Sequence, residues 1–425
     1  MVRTQQRKPI IHLVSMPMIL LVSSQLKSAI GMIQPACYTR TGKQAVRSFT
    51  VNNLSRTLQS SRGSIGSRWM SASSSAAEVE DATTSIKHKS SIPAFRIFYN
   101  DVYEVHLPKG HRFPMDKYQR VRKQVQKVVK ELPKEEQEKV DCDFHVSPLA
   151  TVDELVTTHS YEYVQKVLSG DLTEQELRNV GFPWNEENVK RSFSSVGGTV
   201  AAAKFVCEAA EQRKDNPSSI PPWAAHVAGG THHAFHDRGE GFCVFSDIAV
   251  AANVALQSFP NIERILILDL DVHQGNGNAV LFQGRPEVVT FSMQCVANYF
   301  SEKQQSDLDV ELPPDCTDQT YLMTLSHWLK RIKRESGPYD LVFFQAGVDI
   351  LAEDRLGRMS ISQKGVETRN KLVFDFAMDL NVPLVITMGG GYPRTDDWAP
   401  ILQAHSNVYL QARQYLADTG ASRKQ

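Results

Sequence analysis

The chain predicts an α/β fold: one parallel β-sheet in a single domain, sandwiched between helices. Three observations carry that expectation. From about Ile92 onward, short β-branched and apolar runs recur, each bounded by turn residues, as in strands buried on both faces. The stretches between them have helical period and are long enough for the crossover that parallel strands require. Each run also ends in a polar or glycine cluster, which places chemistry beyond the carboxyl ends of the strands, where open parallel sheets bind their ligands.

In chain order, the strand-like runs are AAHVAGG (224–230), RILILDLDV (264–272), EVVTFSMQ (287–294), YDLVFFQAG (339–347) and VPLVITMGGG (382–391). Amphipathic stretches near 195–214, 246–259, 317–335 and 362–380 supply the crossovers, and Ser360 with Gln363 has the spacing of a capping box for the last. No repeat and no second shift of composition divides them, so one catalytic domain is expected from 92 to 417. A linker at 78–91 precedes it, and the polar end from 418 to 425 is expected to fray.

Charge is unevenly spread. Residues 1–77 hold ten Lys or Arg and no acid, so removing them from a chain balanced at 47 basic and 47 acidic residues leaves a body ten charges negative. An acidic body argues against direct binding to nucleic acid, which needs a clustered basic face, and suits a cationic substrate such as a lysine-rich tail. The Ser-, Arg- and Gln-rich start has the composition of an organelle transit peptide, and mitochondrion is the expected address. The alternatives are a plastid entered through the secretory route, if the apolar run Ile10 to Val22 acts as a signal, and cytoplasm or nucleus, if the segment is no address. His12, Ser15 and Pro17 interrupt that run, which is well short of the roughly 20 residues a membrane span needs, so no span is expected in the mature protein. Six cysteines, at 37, 142, 207, 243, 295 and 316, lack CxxC pairing and read as reduced thiols.

The chemistry concentrates in three places. In LDLDVHQGNGN an apolar strand ends in Asp269, Asp271 and His273, alternate residues that share a face. Three ionisable groups there are costly to bury unless they pair or bind a cation. Asp271 and His273 can both ligate a metal, and QAGVD adds Asp349 past another strand. Three protein ligands leave a position open, as in catalytic sites. Taken alone, Asp269 and Asp271 could instead cap the next helix.

Next, AGGTHHAFHDRGEGFC follows a strand with a Gly-Gly turn and the adjacent His232 and His233, whose ordinary pKa suits a general base. His236 reads as a bystander, while Gly241 permits close backbone approach and Phe242 offers an apolar wall. Finally MGGGYP ends the last strand with Gly390 and Gly391, substrate-binding candidates whose backbone can approach a ligand closely, and sets Tyr392 where its hydroxyl could donate to a developing oxyanion; a plain turn with a surface tyrosine fits the same residues.

Taken in order, HH, GFC, DLDVHQGNG, QAGVDIL with DRLGRMSIS, and GGGY resemble the zinc-dependent histone deacetylase family, over residues 95–415. The resemblance implies the arginase/deacetylase fold, with Asp271, His273 and Asp349 as zinc ligands, His232 and His233 as paired imidazoles, and Tyr392 as oxyanion donor. It further implies that Asp269 orients His232, that carbonyls around Asp269, Asp271, His273 and Ser292 hold a potassium ion, and that Gly241 and Phe242 line a narrow tunnel for acyl-lysine. Where many members carry a second aspartate this chain has Asn276, so His233 would face a neutral amide. That departure, with HQGNG, DRLGRMSIS and GFPWNEENVKRS, is similar to the family's class IV and related bacterial branches, as are the rim segments 106–116 and 170–190.

The reaction so implied is hydrolysis of an acyl-lysine amide in a protein or peptide, in which a metal-activated water attacks, one imidazole takes a proton and an imidazolium protonates the departing amine. Zinc is the expected metal, and a carboxylate-rich ligand set also suits iron(II). Three other readings stand beside it: a deacetylase of small amines such as acetylpolyamines, a binuclear manganese ureohydrolase, and a non-catalytic acyl-lysine binding module. The second-metal positions of a ureohydrolase are taken here by His232, His233 and Asn276, and a binding module would normally have lost a ligand or the tyrosine.

Overall fold

A computed structural model describes residues 93–213, 219–298 and 302–422. The basic segment 1–77, the linker and Cys37 lie outside the described residues. Eight strands form one sheet: β1 (Ala94–Tyr99), β2 (Asp141–Val146), β3 (Trp223–His226), β4 (Ile265–Asp269), β5 (Val288–Cys295), β6 (Leu308–Leu312), β7 (Leu341–Gln345) and β8 (Leu384–Thr387). Their spatial order is β2-β1-β3-β8-β7-β4-β5-β6, and every neighbouring pair is parallel.

Side-chain alternation divides the strands between two cores. Leu266, Leu268, Val342, Phe344, Leu384 and Ile386 face one, covered by the helices Lys117–Glu131, Asp318–Glu335, Gln363–Leu380 and Ala399–Ser422. Ile265, Ile267, Leu341, Phe343 and Val385 face the other, covered by Glu186–Gln212 and Asp247–Ser258. With both faces buried, the inner strands have no polar side to show, hence their unbroken apolar runs. No described helix is long and apolar enough to cross a membrane.

The four adjacent inner strands, β3, β8, β7 and β4, carry the HH, GGGY, QAGVD and DLDVH motifs at their carboxyl ends. In the register, Asp269 pairs with Gln345 and Gln345 with Thr387, so these ends stand level.

Three expectations change. The β4 ladder ends at Asp269, leaving Asp271 and His273 in the following loop; the alternation nevertheless persists, because Leu270 and Val272 continue into the core that holds Leu266 and Leu268. The helix at Gln363 is capped by Ser362, whose hydroxyl accepts from Gly365 N, while Ser360 lies in a bridge to Thr317. The last helix runs through Ser422, beyond the expected boundary at 417, with Thr419 and Ser422 hydroxyls donating to carbonyls four residues back.

Candidate active site

Asp271, His273 and Asp349 converge so that one ligating atom from each lies within 4.8 Å of the others. His273 Nδ1 is 3.1 Å from Asp271 Oδ1 and 3.1 Å from Asp349 Oδ2. Backbone donors hold the carboxylates: Gly390 N to Asp271 Oδ2 at 2.7 Å, His273 N to Asp271 Oδ1 at 3.0 Å and Val272 N to Asp349 Oδ1 at 3.0 Å. Burial pushes Asp349 up to about 6, reinforced by the Asp271 charge. Burial also opposes charge on His273, but hydrogen bonds to both aspartates prevail and hold it at about 10. Two buried carboxylates thus retain a proton on the imidazole between them, a position that a divalent cation would fill with more charge, and the donor set suits zinc or iron(II). The helix-cap alternative fails, since no side chain caps the helix Asn276–Leu281.

The two histidines follow β3. His232 Nδ1 donates to Asp269 Oδ2 at 2.7 Å, and His233 Nδ1 to Asn276 Oδ1 at 2.7 Å. Gly277 N also donates to that Asn276 oxygen, at 3.0 Å, which fixes the amide's orientation and leaves His233 Nε2 as the acceptor nitrogen. The rings lie 4.0 Å apart. Burial disfavours charge on both, yet Asp269 and Asp271 raise His232 above the ordinary imidazole value, whereas burial, His232 and His273 press His233 well below it. Asp247 positions the turn before them, accepting from Gly230 N at 3.0 Å, and from Thr231 N and Oγ1 at 2.7 Å each. His236 is a satisfied loop histidine, its Nδ1 donating to Thr158 O at 2.7 Å.

Tyr392 is 8% exposed, so the surface-tyrosine alternative fails. Burial and the Asp349 and Asp271 charges raise its pKa well above the ordinary phenol value, which keeps the hydroxyl a donor. Its backbone is fixed by Asp354, whose carboxylate accepts from Tyr392 N at 2.6 Å, Leu356 N at 2.7 Å and Gly357 N at 2.8 Å. Burial pushes Asp354 up to about 7, with the Asp349 charge adding to it. A Cβ on Gly390 would lie 2.0 Å from Asp349 Oδ2, and one on Gly391 2.3 Å from His405 Nε2. Their bareness accommodates protein atoms.

Gly241 brings the wall against His233, since a Cβ there would meet His233 Cδ2 at 2.8 Å. Phe242 adopts φ 67°, a left-handed conformation that costs a bulky residue roughly 1–2 kcal/mol. Its amide, bonded to Val180 O at 2.7 Å, helps to hold it, and its ring meets Phe113 at 5.1 Å and Phe182 at 5.4 Å. Phe113 in turn lies 6.3 Å from the Tyr392 ring. Asp354, Asp247, Phe113 and Phe182 were not singled out from the sequence, although the DRLG run and the rim segments 106–116 and 170–190 contain three of them.

Comparison with known proteins gives the family and the fold. Residues 111–408 match the model of the histone deacetylase domain. An uncharacterized protein of Picosynechococcus sp. is 36% identical over 75% of this chain and 98% of its own length. Histone deacetylase 2 of Arabidopsis thaliana is 33% identical over 59% of this chain, a match spanning 64% of that protein, and the acetoin utilization protein AcuC of Staphylococcus aureus is 26% identical over 62% and 69%. Among solved structures, the HDA15 HD domain superposes with TM-score 0.61 at 20% identity, covering 76% of this chain and 90% of that one. An HDAC homolog complexed with SAHA gives 0.60 at 20% identity, over 76% and 84%, and both show the shared fold.

Proposed function

The chain belongs to the histone deacetylase domain family, and from that premise we propose that it is a metal-dependent hydrolase removing acetyl or longer acyl groups from lysine side chains of proteins. The observation that carries this reading is the convergence of the three ligand side chains with the unequal histidine pair, His232 Nε2 lying 4.0 Å from Asp271 Oδ1 and the His233 ring 6.0 Å from that of His273. The metal, zinc or iron(II), would be held by Asp271, His273 and Asp349 and would supply Lewis acidity toward the amide carbonyl and water. His233, kept neutral with its Nδ1 hydrogen on Asn276, takes the proton of the attacking water. His232, favoured as imidazolium by Asp269, stabilises the negative charge that develops and provides the acid for the departing amine. Tyr392 donates to the oxyanion, and Asp354 and Asp247 position Tyr392 and the histidines without touching the substrate.

Ser292 pairs with Asp269 across β4 and β5, so the carbonyls proposed to hold potassium come from the end of β4, the loop after it and the middle of β5. A deacetylase of small amines is the alternative on the same site. Comparing kcat/KM for acetyl-lysine peptides, longer acyl-lysine peptides and acetylpolyamines decides between them, and turnover confined to polyamines refutes the protein-substrate reading. Mitochondrial targeting by residues 1–77 is part of the proposal; a fluorescent fusion of residues 1–90 that stays out of mitochondria sinks it.

A further inference from the structure

Beside the aromatic wall lies a cavity of about 40 Å³ bounded by Phe113, Tyr118, Arg191, Ser195, Thr231 and Phe242. At ~10–15 Å³ for each water it holds only a small group. Arg191, in the helix Glu186–Gln212, is 5% exposed, and its Nη1 has no hydrogen-bond partner. Its guanidinium lies 4.1 Å over the Tyr118 ring. Lys117 Nζ is 5.4 Å from the same ring and 5.1 Å from that of Tyr392, and it donates to the carbonyls of Gly389 at 3.1 Å and Gly391 at 3.5 Å. Among the described residues neither cation makes an ion pair. Asp101, the carboxylate whose field reaches Arg191, is held by Arg122 through two hydrogen bonds of 2.7 Å. The carboxylates whose fields reach Lys117 are Asp349, Asp271 and Asp354, which serve the metal and the Tyr392 loop.

Burying a guanidinium without an ion-pair partner is costly, and its vacant donor at a small cavity matches a carboxylate. Two lining residues tie the cavity to the reacting centre: Thr231 precedes His232, and Phe242 follows Gly241, which packs on His233. The cavity thus borders the loop residues that lead into and pack against the two histidines.

We propose that this cavity is a carboxylate subsite and that the enzyme accepts lysine acylated by a short dicarboxylic acid, of malonyl to glutaryl length, with the distal carboxylate on Arg191. The inference rests on the acyl-lysine reading above and narrows its acyl group. The reaction remains amide hydrolysis: one water is consumed, the C–N bond breaks, and the free lysine amine and a dicarboxylate leave.

The test uses the full chain, loaded with its metal, on one peptide bearing acetyl-, succinyl-, glutaryl- or succinamoyl-lysine, the last replacing the distal carboxylate by a neutral amide of equal length. The succinyl peptide is expected to exceed the succinamoyl peptide in kcat/KM by about 10- to 100-fold, the scale of a charged hydrogen bond. Arg191→Met should bring that ratio toward one, and Arg191→Lys should restore part of it. A wild-type ratio near one, or a ratio unchanged in Arg191→Met, overturns the proposal. Should Arg191→Met fail to fold, the wild-type pair of peptides decides alone. Acetyl turnover without dicarboxylic turnover overturns the subsite and leaves the acyl-lysine reading standing, and free acetate acting there as an inhibitor would then mark a product site. Failure of every acyl-lysine peptide overturns both.

Discussion

Replacing Asn276 by Asp tests the division of labour between the histidines. The Asn276 oxygen lies 2.7 Å from His233 Nδ1 and both residues are buried, so the substitution places a carboxylate against an imidazole that now faces a neutral amide. Unit charges about 4 Å apart at an effective dielectric near 20 interact by about 4 kcal/mol, or roughly three pKa units. Desolvation of the new carboxylate opposes this, leaving a rise of about one to two units. Burial and the neighbouring His232 and His273 hold His233 well below its ordinary value, so the wild-type base stays neutral far into the acid range. Asn276→Asp raises that pKa, protonates the base at higher pH and moves the acid limb of the kcat/KM profile upward by about one to two pH units. The measurement is that profile on metal-loaded protein. An acid limb that stays in place while metal content and alkaline activity are retained refutes His233 as the base.

Three further outcomes are expected. Tyr392→Phe should lower turnover on the order of 10²-fold with metal content unchanged, and full activity would remove its role as oxyanion donor. Metal analysis should find one zinc or iron per chain, removable by chelation with loss of activity and lost from His273→Ala; two tightly held metals would favour the ureohydrolase reading. Gly198→Ala should lower the melting temperature despite alanine's better helix propensity, because its Cβ would lie 2.4 Å from both His226 Nε2 and Ser147 Oγ, an overpacking worth about 1–3 kcal/mol; a rise in melting temperature would refute that contact.

What the sequence made legible was the middle of the sheet. Ile265–Leu268 and Leu341–Phe344 are buried on both faces and leave no alternation to misread. The edges were missed: DCDFHV of β2 and LDVEL of β6 are half polar because one side of each lacks a neighbouring strand. The ligand types and the histidine pair could be read from local motifs, since each follows its strand within a few residues. Arg191, Lys117 and Asp354 could not, because their roles arise across the fold. Lys117 reaches Gly389 over 272 residues of chain, and Asp354 holds Tyr392 through a backbone amide whose geometry no motif announces. The bareness of Gly390 likewise has its reason across the fold, since the space its missing side chain leaves is filled by Asp349.

The register between β4 and β7 has an effect on assembly. Asp269 stands beside Gln345, and the strands they end are separated in sequence by β5, β6 and a long helix. A one-residue slip of β7 would exchange Phe343 and Phe344 between the two cores and turn Asp349 away from His273. A chain that pairs its central strands wrongly loses the ion along with the core, so catalysis serves as a proofreading readout of the fold. A cation bound only by the correctly paired form would also draw the population toward it by mass action.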